Sequence, residues 1–485
     1  MTLELSDRTL LREAALIDGD WMTSAKDSIT VIDPATGAPV GTVPGCGTAE
    51  TEAAIAAAVA AWPAWRAMTA GERCTLLERW HALVLENVDD LARIMTAEQG
   101  KPLAEAAGEI RYAASFIKWF AEEGRRVGGH NIPSPERDRR IVVMVEPVGV
   151  SAAITPWNFP SAMITRKCAP ALAAGCPVVV KPSEMTPFSA LALAELALRA
   201  GIPAGVFHVV TGMPQDIGRA ITASPDVRKL SFTGSTRVGS LLMQQSADTI
   251  KRLSLELGGN APLIVFDDAD LDVAVPAAMA SKFRNAGQTC VCANRIIVQA
   301  GIHDAFVERL GAEVAKLNVA PGMEDGATTG PLINDSAVEK VAGHLADALD
   351  KGARVVASGQ GREGDRFVRP VVLTGATSDM RFATEETFGP LAPVFRFESE
   401  EDGIALANDT QYGLASYFYT RDIGRAFRVA EQLETGMVAL NTGSIAMEMA
   451  PFGGIKQSGL GREGGRDGIN EYLETKAFHI GALGA

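Results

Sequence analysis

The residues best suited to chemistry in this sequence are a cysteine and a carboxylate. Cys290 lies in the string Asn-Ala-Gly-Gln-Thr-Cys-Val-Cys, where small and polar residues surround the thiol. Glu256 lies about 34 residues earlier, next to a glycine-rich turn. A thiolate can act as a nucleophile and a carboxylate as a base. The six histidines show no metal-ligand spacing, so the pair is predicted to work without a metal and without histidine.

A second string could supply an oxyanion donor to such a nucleophile. Thr155-Pro156-Trp157-Asn158 follows a predicted strand and precedes a predicted helix. A thiolate that attacks a carbonyl creates an oxyanion, and a neutral amide such as Asn158 can stabilise it without competing for a proton. The structural alternative is a proline-rich turn with an asparagine cap.

Two further strings are typical of nucleotide sites. Lys181 and Glu184 follow a predicted strand, where an ammonium and a carboxylate suit the hydroxyls of a ribose. Gly234 and Ser235 turn another strand into a helix that contains Gly239, and such a helix N-terminus favours phosphate. The first pair could equally be a surface ion pair.

The composition narrows the class of protein. The 485 residues are 47% hydrophobic and 21% charged, with a net charge of −14, which favours a globular enzyme of two or three domains. Nucleic-acid binding is not expected, because phosphate contacts need clustered Lys and Arg. No signal peptide or membrane span is predicted. The six scattered cysteines do not resemble a disulfide framework, so we expect a cytoplasmic protein.

The order of predicted elements indicates an α/β fold. Residues 49–124 are predicted to be mainly helical, and strands alternate with helices over 148–257, which implies a parallel, doubly wound sheet. A second α/β stretch begins at 258. The β-branched run at 140–147 is predicted to form an arm, and we expect the C-terminal strand Tyr472–Ile480 to pair with this arm in another subunit.

Together these strings resemble the NAD(P)-dependent aldehyde dehydrogenase superfamily over residues 30–480. The resemblance implies an α/β protein with two doubly wound α/β domains and a small β oligomerisation arm. The boundaries it implies are 1–124 and 148–257 for the NAD(P)-binding domain, 258–465 for the catalytic domain, and 125–147 with 466–485 for the arm. A homodimer or homotetramer is expected.

The resemblance also implies roles for single residues. Cys290 matches the nucleophile, Glu256 the base that activates the deacylating water, and Asn158 with the amide of Cys290 the oxyanion hole. Lys167 matches a lysine near the base and the cofactor. The implied cofactor contacts are Thr155, Pro156, Trp157, Lys181, Ser183, Glu184, Gly234, Ser235, Gly239, Leu257, Glu386 and Phe388. NAD is expected as the preferred cofactor because Glu184 would repel a 2′-phosphate, with NADP as the second possibility.

Within the superfamily the chain is most similar to the succinate-semialdehyde dehydrogenase branch. Arg166 and Arg284 are predicted to hold a distal carboxylate of a small semialdehyde, because arginine binds carboxylates bidentately. A structural ion pair is the alternative for either. The branch often has a serine in the loop before Pro-Phe-Gly-Gly, but this chain has Ala446 there, so Ser444 or a backbone amide is expected to take its place. The resemblance also marks Cys292 as a redox partner of Cys290, with simple packing as the alternative.

Three other functions remain open from the sequence. The substrate could be another aldehyde, such as glutarate semialdehyde. A CoA-acylating enzyme is disfavoured because Glu256 supports hydrolysis. A non-catalytic relative, such as a lens crystallin, is disfavoured because such a protein has no need of Cys290, Glu256 and Asn158 together.

Overall fold

The computed structural model describes residues 3–483 except residues 24 and 26. The helices of this part of the chain are α1 Thr48–Ala67, α2 Ala70–Glu86, α3 Val88–Gln99, α4 Leu103–Glu123, α5 Ala162–Ala174, α6 Pro187–Arg199, α7 Pro214–Ala223, α8 Thr236–Ser246, α9 Leu271–Phe283, α10 His303–Val314, α11 Asp335–Asp350, α12 Arg381–Thr384, α13 Glu400–Asn408 and α14 Ile423–Gln432. The strands are β1 Ala15–Ile17, β2 Asp20–Met22, β3 Asp27–Ile32, β4 Pro39–Gly45, β5 His130–Ile132, β6 Arg140–Pro147, β7 Val150–Ile154, β8 Val178–Lys181, β9 Phe207–Val209, β10 Val227–Thr233, β11 Arg252–Glu256, β12 Ala261–Val265, β13 Ala293–Gln299, β14 Asn318–Val319, β15 Arg354–Ser358, β16 Gln360–Gly361, β17 Val371–Ala376, β18 Leu391–Phe397, β19 Tyr412–Gly413, β20 Ala415–Tyr419, β21 Met437–Leu440, β22 Ile455–Lys456, β23 Gly459–Leu460 and β24 Leu473–Ile480.

The first large sheet confirms the predicted alternation of strands and helices. Its strand order is β2-β1-β9-β8-β7-β10-β11-β23, and the five strands from β9 to β11 are parallel. Strands β7 and β8 are buried along their whole length, as expected for apolar runs covered on both faces. The two N-terminal strands at its edge were not predicted.

Helix α5 shows why this sheet can hold a buried site. Every residue of α5 is buried, and its many alanines let it lie close to its neighbour α4 and to the sheet. Helix α6 begins with Pro187, a residue favoured in the first helical turn because it has no N–H to leave unpaired.

The second large sheet confirms the second α/β unit. Its order is β15-β17-β18-β13-β12-β20-β21, in which only β15 is antiparallel to its neighbour. Strand β23, although it lies inside the range 258–465, returns to the first sheet and pairs with β11. This return brings the C-terminal part of the chain to the end of β11, where Glu256 lies.

The predicted arm is a three-stranded antiparallel sheet, β24-β6-β5. The predicted C-terminal strand is present, but its predicted partner is wrong: Leu473–Ile480 pairs with 140–147 of the same chain. The reason is a contact where β6 ends and β24 begins. The main-chain N–H of Val148 donates to the carbonyl of Tyr472 and places the C-terminal strand beside β6. No helix of the described residues is long and apolar enough to cross a membrane.

Candidate active site

The turn before Cys290 has an unusual backbone. Asn285, Ala286 and Gly287 have φ values of +53°, +55° and +73°, a left-handed region that disfavours side chains. Buried hydrogen bonds hold the turn: Asn285 Nδ2 donates to the carbonyl of Asn158 at 3.0 Å, and Gln99 Nε2 donates to Asn285 Oδ1 at 3.0 Å. Strain of this kind persists where surrounding contacts fix it, and it clusters at active sites.

Asn158 is fixed from two sides. Its Nδ2 donates to the carbonyl of Gln288 at 3.1 Å, two residues before Cys290. Its own carbonyl accepts from Lys101 Nζ at 2.8 Å. Lys101 is buried and forms an ion pair of 2.5 Å with Glu109, so the amide that was predicted to stabilise an oxyanion is held next to the thiol.

Glu109 also anchors the start of α5. Its Oε1 accepts from the main-chain N–H groups of Ser161 and Ala162 at 3.0 and 3.2 Å. A carboxylate at this position is favoured by the positive end of the helix dipole. The sequence reasoning missed Lys101 and Glu109, because neither belongs to a string with a chemical signature.

A cavity of about 360 Å³ lies between the two large sheets. It brings together nine of the predicted site residues: Pro156, Trp157, Asn158, Gly234, Ser235, Leu257, Cys290, Glu386 and Phe388. It is also lined by residues that were not predicted: Met163, Thr233, Gly258, Ser336, Ala337, Lys340 and Thr387. The other predicted residues lie outside this lining.

Two glycines shape the cavity near the N-terminus of α8: Gly234 lines it, and Gly239 lies against Leu257, which lines it. A Cβ atom added to Gly234 would lie 2.4 Å from the Phe232 ring, and one added to Gly239 would lie 2.4 Å from Leu257. Ser235 caps α8, accepting from the N–H of Val238 at 3.4 Å. The glycines therefore keep the N-terminus of α8 against the cavity, where a phosphate group would be favoured.

The opposite wall of the cavity is aromatic and acidic. Phe388 has a φ of +55° and meets Trp157 edge to face, with ring centroids 5.6 Å apart. Glu386 Oε1 accepts from the N–H of Gly259 at 3.1 Å. Burial raises the pKa of Glu386 to about 7. Ribose hydroxyls and a planar ring fit this wall.

Four other predicted cofactor residues lie at the end of β8, on the loop after it, or directly after β7. Lys181 Nζ forms an ion pair of 2.7 Å with Glu184, and Ser183 Oγ accepts from the N–H of Met185 at 3.2 Å. Thr155 is buried, and its Oγ1 has no hydrogen-bond partner in the described chain. The Oγ1 of Thr233 likewise lacks a partner among the described residues. These orphaned hydroxyls, the two glycines near the start of α8 and the Lys181–Glu184 pair fit a nicotinamide dinucleotide.

Glu256 is a buried carboxyl at the end of β11. It is 2% exposed, and its Oε2 has no hydrogen-bond partner among the residues that the structure describes. Burial, together with the negative charge of Glu463, raises the pKa of Glu256 well above its ordinary value. A raised pKa matches a carboxylate that takes a proton from water near neutral pH.

Glu463 is a further site residue that the sequence reasoning missed. Its Oε2 accepts from Arg166 Nε at 2.6 Å, and its Oε1 accepts from Lys167 Nζ and, at 3.1 Å, from Ser231 Oγ. Burial opposes its ionisation, but the charges of Lys167 and Arg166 outweigh burial and lower the pKa of Glu463 to about 2. Its only sequence signal was a carboxylate inside the glycine-rich loop 459–465.

Arg166 therefore has a structural ion pair, the alternative that the sequence left open. It is 1% exposed, and its guanidinium stacks over Phe452 at 4.1 Å. Its charge still reaches the reacting groups. Burial raises the pKa of the Cys290 thiol to about 12, and the positive charge of Arg166 opposes this rise.

Arg284 and Ser444 are both exposed. The Arg284 guanidinium lies over the Phe159 ring at 5.3 Å and forms no ion pair with a described carboxylate. The N–H of Ser444 donates to Thr442 Oγ1 at 3.3 Å. Of these two predicted substrate residues, Arg284 is the one that carries a charge, and that charge acts on the nearby carboxyl of Glu105 without forming an ion pair.

Cys292 and Cys290 are both free thiols; Cys292 is buried and Cys290 is half-buried. Its sulfur accepts from Lys282 Nζ at 3.4 Å, and Lys282 is fully buried. Burial raises the pKa of the Cys292 thiol. A redox role for Cys292 stays a prediction.

Residues 21–478 match the model of the aldehyde dehydrogenase family. The chain is 60% identical over 481 residues to a protein of Escherichia coli named succinate-semialdehyde dehydrogenase (NADP(+)), covering 99% of this chain and 100% of that one. It is 59% identical over 483 residues to a glutarate-semialdehyde dehydrogenase of Pseudomonas aeruginosa, covering 99% and 100%. The crystal structure of a succinate-semialdehyde dehydrogenase from Burkholderia pseudomallei has a TM-score of 0.97 and 62% identity, covering 99% and 100%.

Proposed function

We propose that this chain, which belongs to the aldehyde dehydrogenase family, oxidises an aldehyde that carries a carboxylate at its far end. Succinate semialdehyde is the first candidate substrate. The observation that carries the proposal is Arg284, an exposed guanidinium without a described carboxylate partner, in the turn that leads to Cys290. An arginine without a described ion-pair partner, six residues before the nucleophile in the chain, favours an anionic substrate, because it binds carboxylates with directed hydrogen bonds.

The first half of the reaction forms a thioester. The Cys290 thiol loses its proton to solvent, the resulting thiolate attacks the aldehyde carbon, a C–S bond forms, and the carbonyl oxygen becomes an oxyanion that Asn158 Nδ2 and the N–H of Cys290 stabilise. The oxidised nicotinamide, when bound, supplies the acceptor for the hydride that then leaves this carbon. The C=O bond forms again, and the substrate is left as an acyl group on Cys290.

The second half releases the acid. Water attacks the thioester, Glu256 takes the proton from that water, and the C–S bond breaks so that the thiolate is restored. The buried Oε2 of Glu256, free of any described hydrogen-bond partner, is the atom we assign to this proton. Lys167 acts through Glu463, whose negative charge helps to raise the pKa of Glu256.

We infer that NAD is the preferred cofactor. Thr155, Pro156, Trp157, Gly234, Ser235, Gly239, Leu257, Glu386 and Phe388 would hold the nicotinamide and pyrophosphate parts, and Lys181, Ser183 and Glu184 the adenosine ribose. Glu184 supports the choice, because its carboxylate accepts from a 2′-hydroxyl and repels a 2′-phosphate. The Escherichia coli relative is named for NADP(+), and the ratio of kcat/KM for NAD over NADP in this chain tests the preference.

Glutarate semialdehyde is the second candidate substrate. Ala446 is half-buried and, like Cys290, packs against the core of the second sheet. Its small methyl group leaves room for one more methylene than a larger side chain would. The glutarate-semialdehyde dehydrogenase relative supports this alternative.

We also propose the domain division 1–124 with 148–257, 258–465, and an arm of 125–147 with 466–485. The arm exposes an unpaired edge at β5, and β21 is an open edge of the second sheet. Open edges of this kind can add strands from another chain. A homodimer or homotetramer is the assembly we infer.

The test of the substrate class compares aldehydes of equal length. With NAD, succinate semialdehyde is expected to have a kcat/KM at least ten-fold above that of butanal. Arg284→Ala should remove this advantage by raising KM, since a charge-assisted hydrogen bond is worth about 1.5–3 kcal/mol, or roughly ten- to 150-fold. Arg354→Ala, which removes an exposed arginine on the far edge strand β15, is the matched control. Equal efficiency of the two aldehydes in the unaltered protein contradicts the proposal.

A further inference from the structure

Tyr112, in the middle of α4, has a hydroxyl that the proposed reaction leaves without a role. The oxygen is buried and has no hydrogen-bond partner within the described part of the chain, although the residue as a whole is half-buried. Buried hydroxyls without a partner are rare, and each calls for a physical explanation such as a ligand.

The Tyr112 ring is held in place by its neighbours. It meets Phe116, one helical turn later, edge to face with centroids 4.9 Å apart. Between them on α4, Ser115 Oγ donates to Glu448 Oε2 at 3.2 Å. Glu448 lies in the same loop as Ala446, so α4 and that loop are fixed against each other next to Tyr112.

Two arginines and the reacting thiol act electrostatically on the hydroxyl. Burial raises the pKa of Tyr112, while the positive charges of Arg166 and Arg284 and the closeness of the Arg166 guanidinium to the hydroxyl oxygen oppose this rise, and Cys290 adds to it. Because arginine is only a donor, the phenolic proton stays available for another acceptor. The phenol therefore stays protonated at neutral pH, as a neutral donor that feels the positive charges of Arg166 and Arg284. A neutral donor close to positive charges favours an anionic hydrogen-bond acceptor.

We propose that the Tyr112 hydroxyl donates a hydrogen bond to the distal carboxylate of the substrate and so helps to determine its specificity. The inference deepens the proposed function and rests on it. The two hydroxyl positions considered from the sequence do not supply this bond: Ala446 has no hydroxyl, and Ser444 is exposed. Arg166 already shares its guanidinium with Glu463, which leaves Arg284 and Tyr112 as the donors free for the carboxylate.

The test is Tyr112→Phe, which removes the oxygen and keeps the ring against Phe116. The kcat/KM for succinate semialdehyde is expected to fall about ten- to 150-fold, mainly through KM, the range for a hydrogen bond to a charged group. The kcat/KM for butanal should stay within two-fold. The inhibition constant of succinate, measured against the semialdehyde, should rise by a comparable factor, which gives a readout that needs no turnover of the variant.

The matched control is Tyr419→Phe. Its hydroxyl is also buried without a described partner, but it lies on β20 and its pKa is raised by burial and by Tyr417, not by the arginines. This variant should leave the kcat/KM for succinate semialdehyde and for butanal unchanged.

Two outcomes overturn the inference. If Tyr112→Phe lowers kcat/KM equally for the charged and the neutral aldehyde, the hydroxyl has a structural role. If neither the semialdehyde nor succinate is affected, it makes no bond to the carboxylate. Neither outcome contradicts the proposed function, provided that the unaltered protein prefers the semialdehyde and Arg284→Ala abolishes that preference. If the unaltered protein does not prefer the semialdehyde over butanal, the proposed function itself is wrong.

Discussion

Glu463→Gln removes the carboxylate that two buried cations share, and it perturbs both the stability of the protein and the base of the proposed reaction. Arg166 and Lys167 are 1% and 0% exposed, so neither can turn to solvent when its partner loses charge. Breaking a buried ion pair by removing one partner costs about 3–5 kcal/mol. We expect a loss of that order in the free energy of unfolding at pH 7, measured by urea titration.

The pH dependence of this loss has a definite sign. The pKa of Glu463 is lowered from 4.5 to about 2 in the folded protein, so its stabilising contribution is present above pH 4.5 and is lost as the pH falls toward 2. The difference in unfolding free energy between the protein and Glu463→Gln should therefore shrink between pH 4.5 and pH 2. A difference that stays constant over this window contradicts the assignment of the charge.

The same substitution should move the acid limb of the activity profile. The negative charge of Glu463 helps to raise the pKa of Glu256, and its removal leaves two positive charges next to that carboxyl. The pKa of Glu256 then falls, and the loss of kcat on acidification should begin at a lower pH than in the unaltered protein.

Glu195→Gln is the matched control for this experiment. Glu195 also forms ion pairs with two cations, Arg12 and Arg199. It differs from Glu463 in its position, because it lies on α6, a helix that packs against β9 of the first sheet. It should lower stability without moving the acid limb. If Glu463→Gln leaves the limb in place, Glu463 does not tune the base and the electrostatic account of Glu256 is wrong.

Two further outcomes are expected. Glu184→Ser should lower the ratio of kcat/KM for NAD over NADP by about ten-fold or more, because it removes the repulsion of a 2′-phosphate; an unaltered protein that favours NADP refutes the role of Glu184. Peroxide should inactivate the enzyme through a Cys290–Cys292 disulfide that thiol reductant reverses, and Cys292→Ala should make that inactivation irreversible; equal reversibility in the variant shows that Cys292 only packs beside Lys282.

The elements of the two parallel sheets could be predicted because their local signals agree with the fold. The apolar runs at 178–181 and 261–265 and the helices between strands have the periodicity that tertiary packing uses. The partner of the C-terminal strand could not be predicted in the same way, since an exposed strand pattern does not say which edge it joins. Its pairing depends on where Tyr472 meets Val148, a contact between residues far apart in the chain.

The site shows the same division. Cys290, Asn158, Trp157 and Phe388 lie in strings with a recognisable chemistry, and the structure gathers them around one cavity. Glu463 has no such string, because its importance comes from two cations that lie almost 300 positions earlier in the chain.

Tyr112 was missed for a related reason. A tyrosine at a helical spacing from other apolar residues predicts a core position, and its ring does pack there. Only the three-dimensional placement of its hydroxyl, buried without a partner near two arginines, marks it as a candidate ligand of the substrate.

The central claim is that catalysis passes through an acyl group on Cys290 that Glu256 helps water to remove. Glu256→Gln, mixed with succinate semialdehyde and NAD and quenched in acid, tests it most directly by intact-protein mass spectrometry followed by peptide mapping. The expected result is a burst of NADH and one succinyl adduct that maps to Cys290 and is absent from Cys290→Ala. A burst without any adduct, an adduct on another residue, or full steady-state turnover by Glu256→Gln contradicts the account.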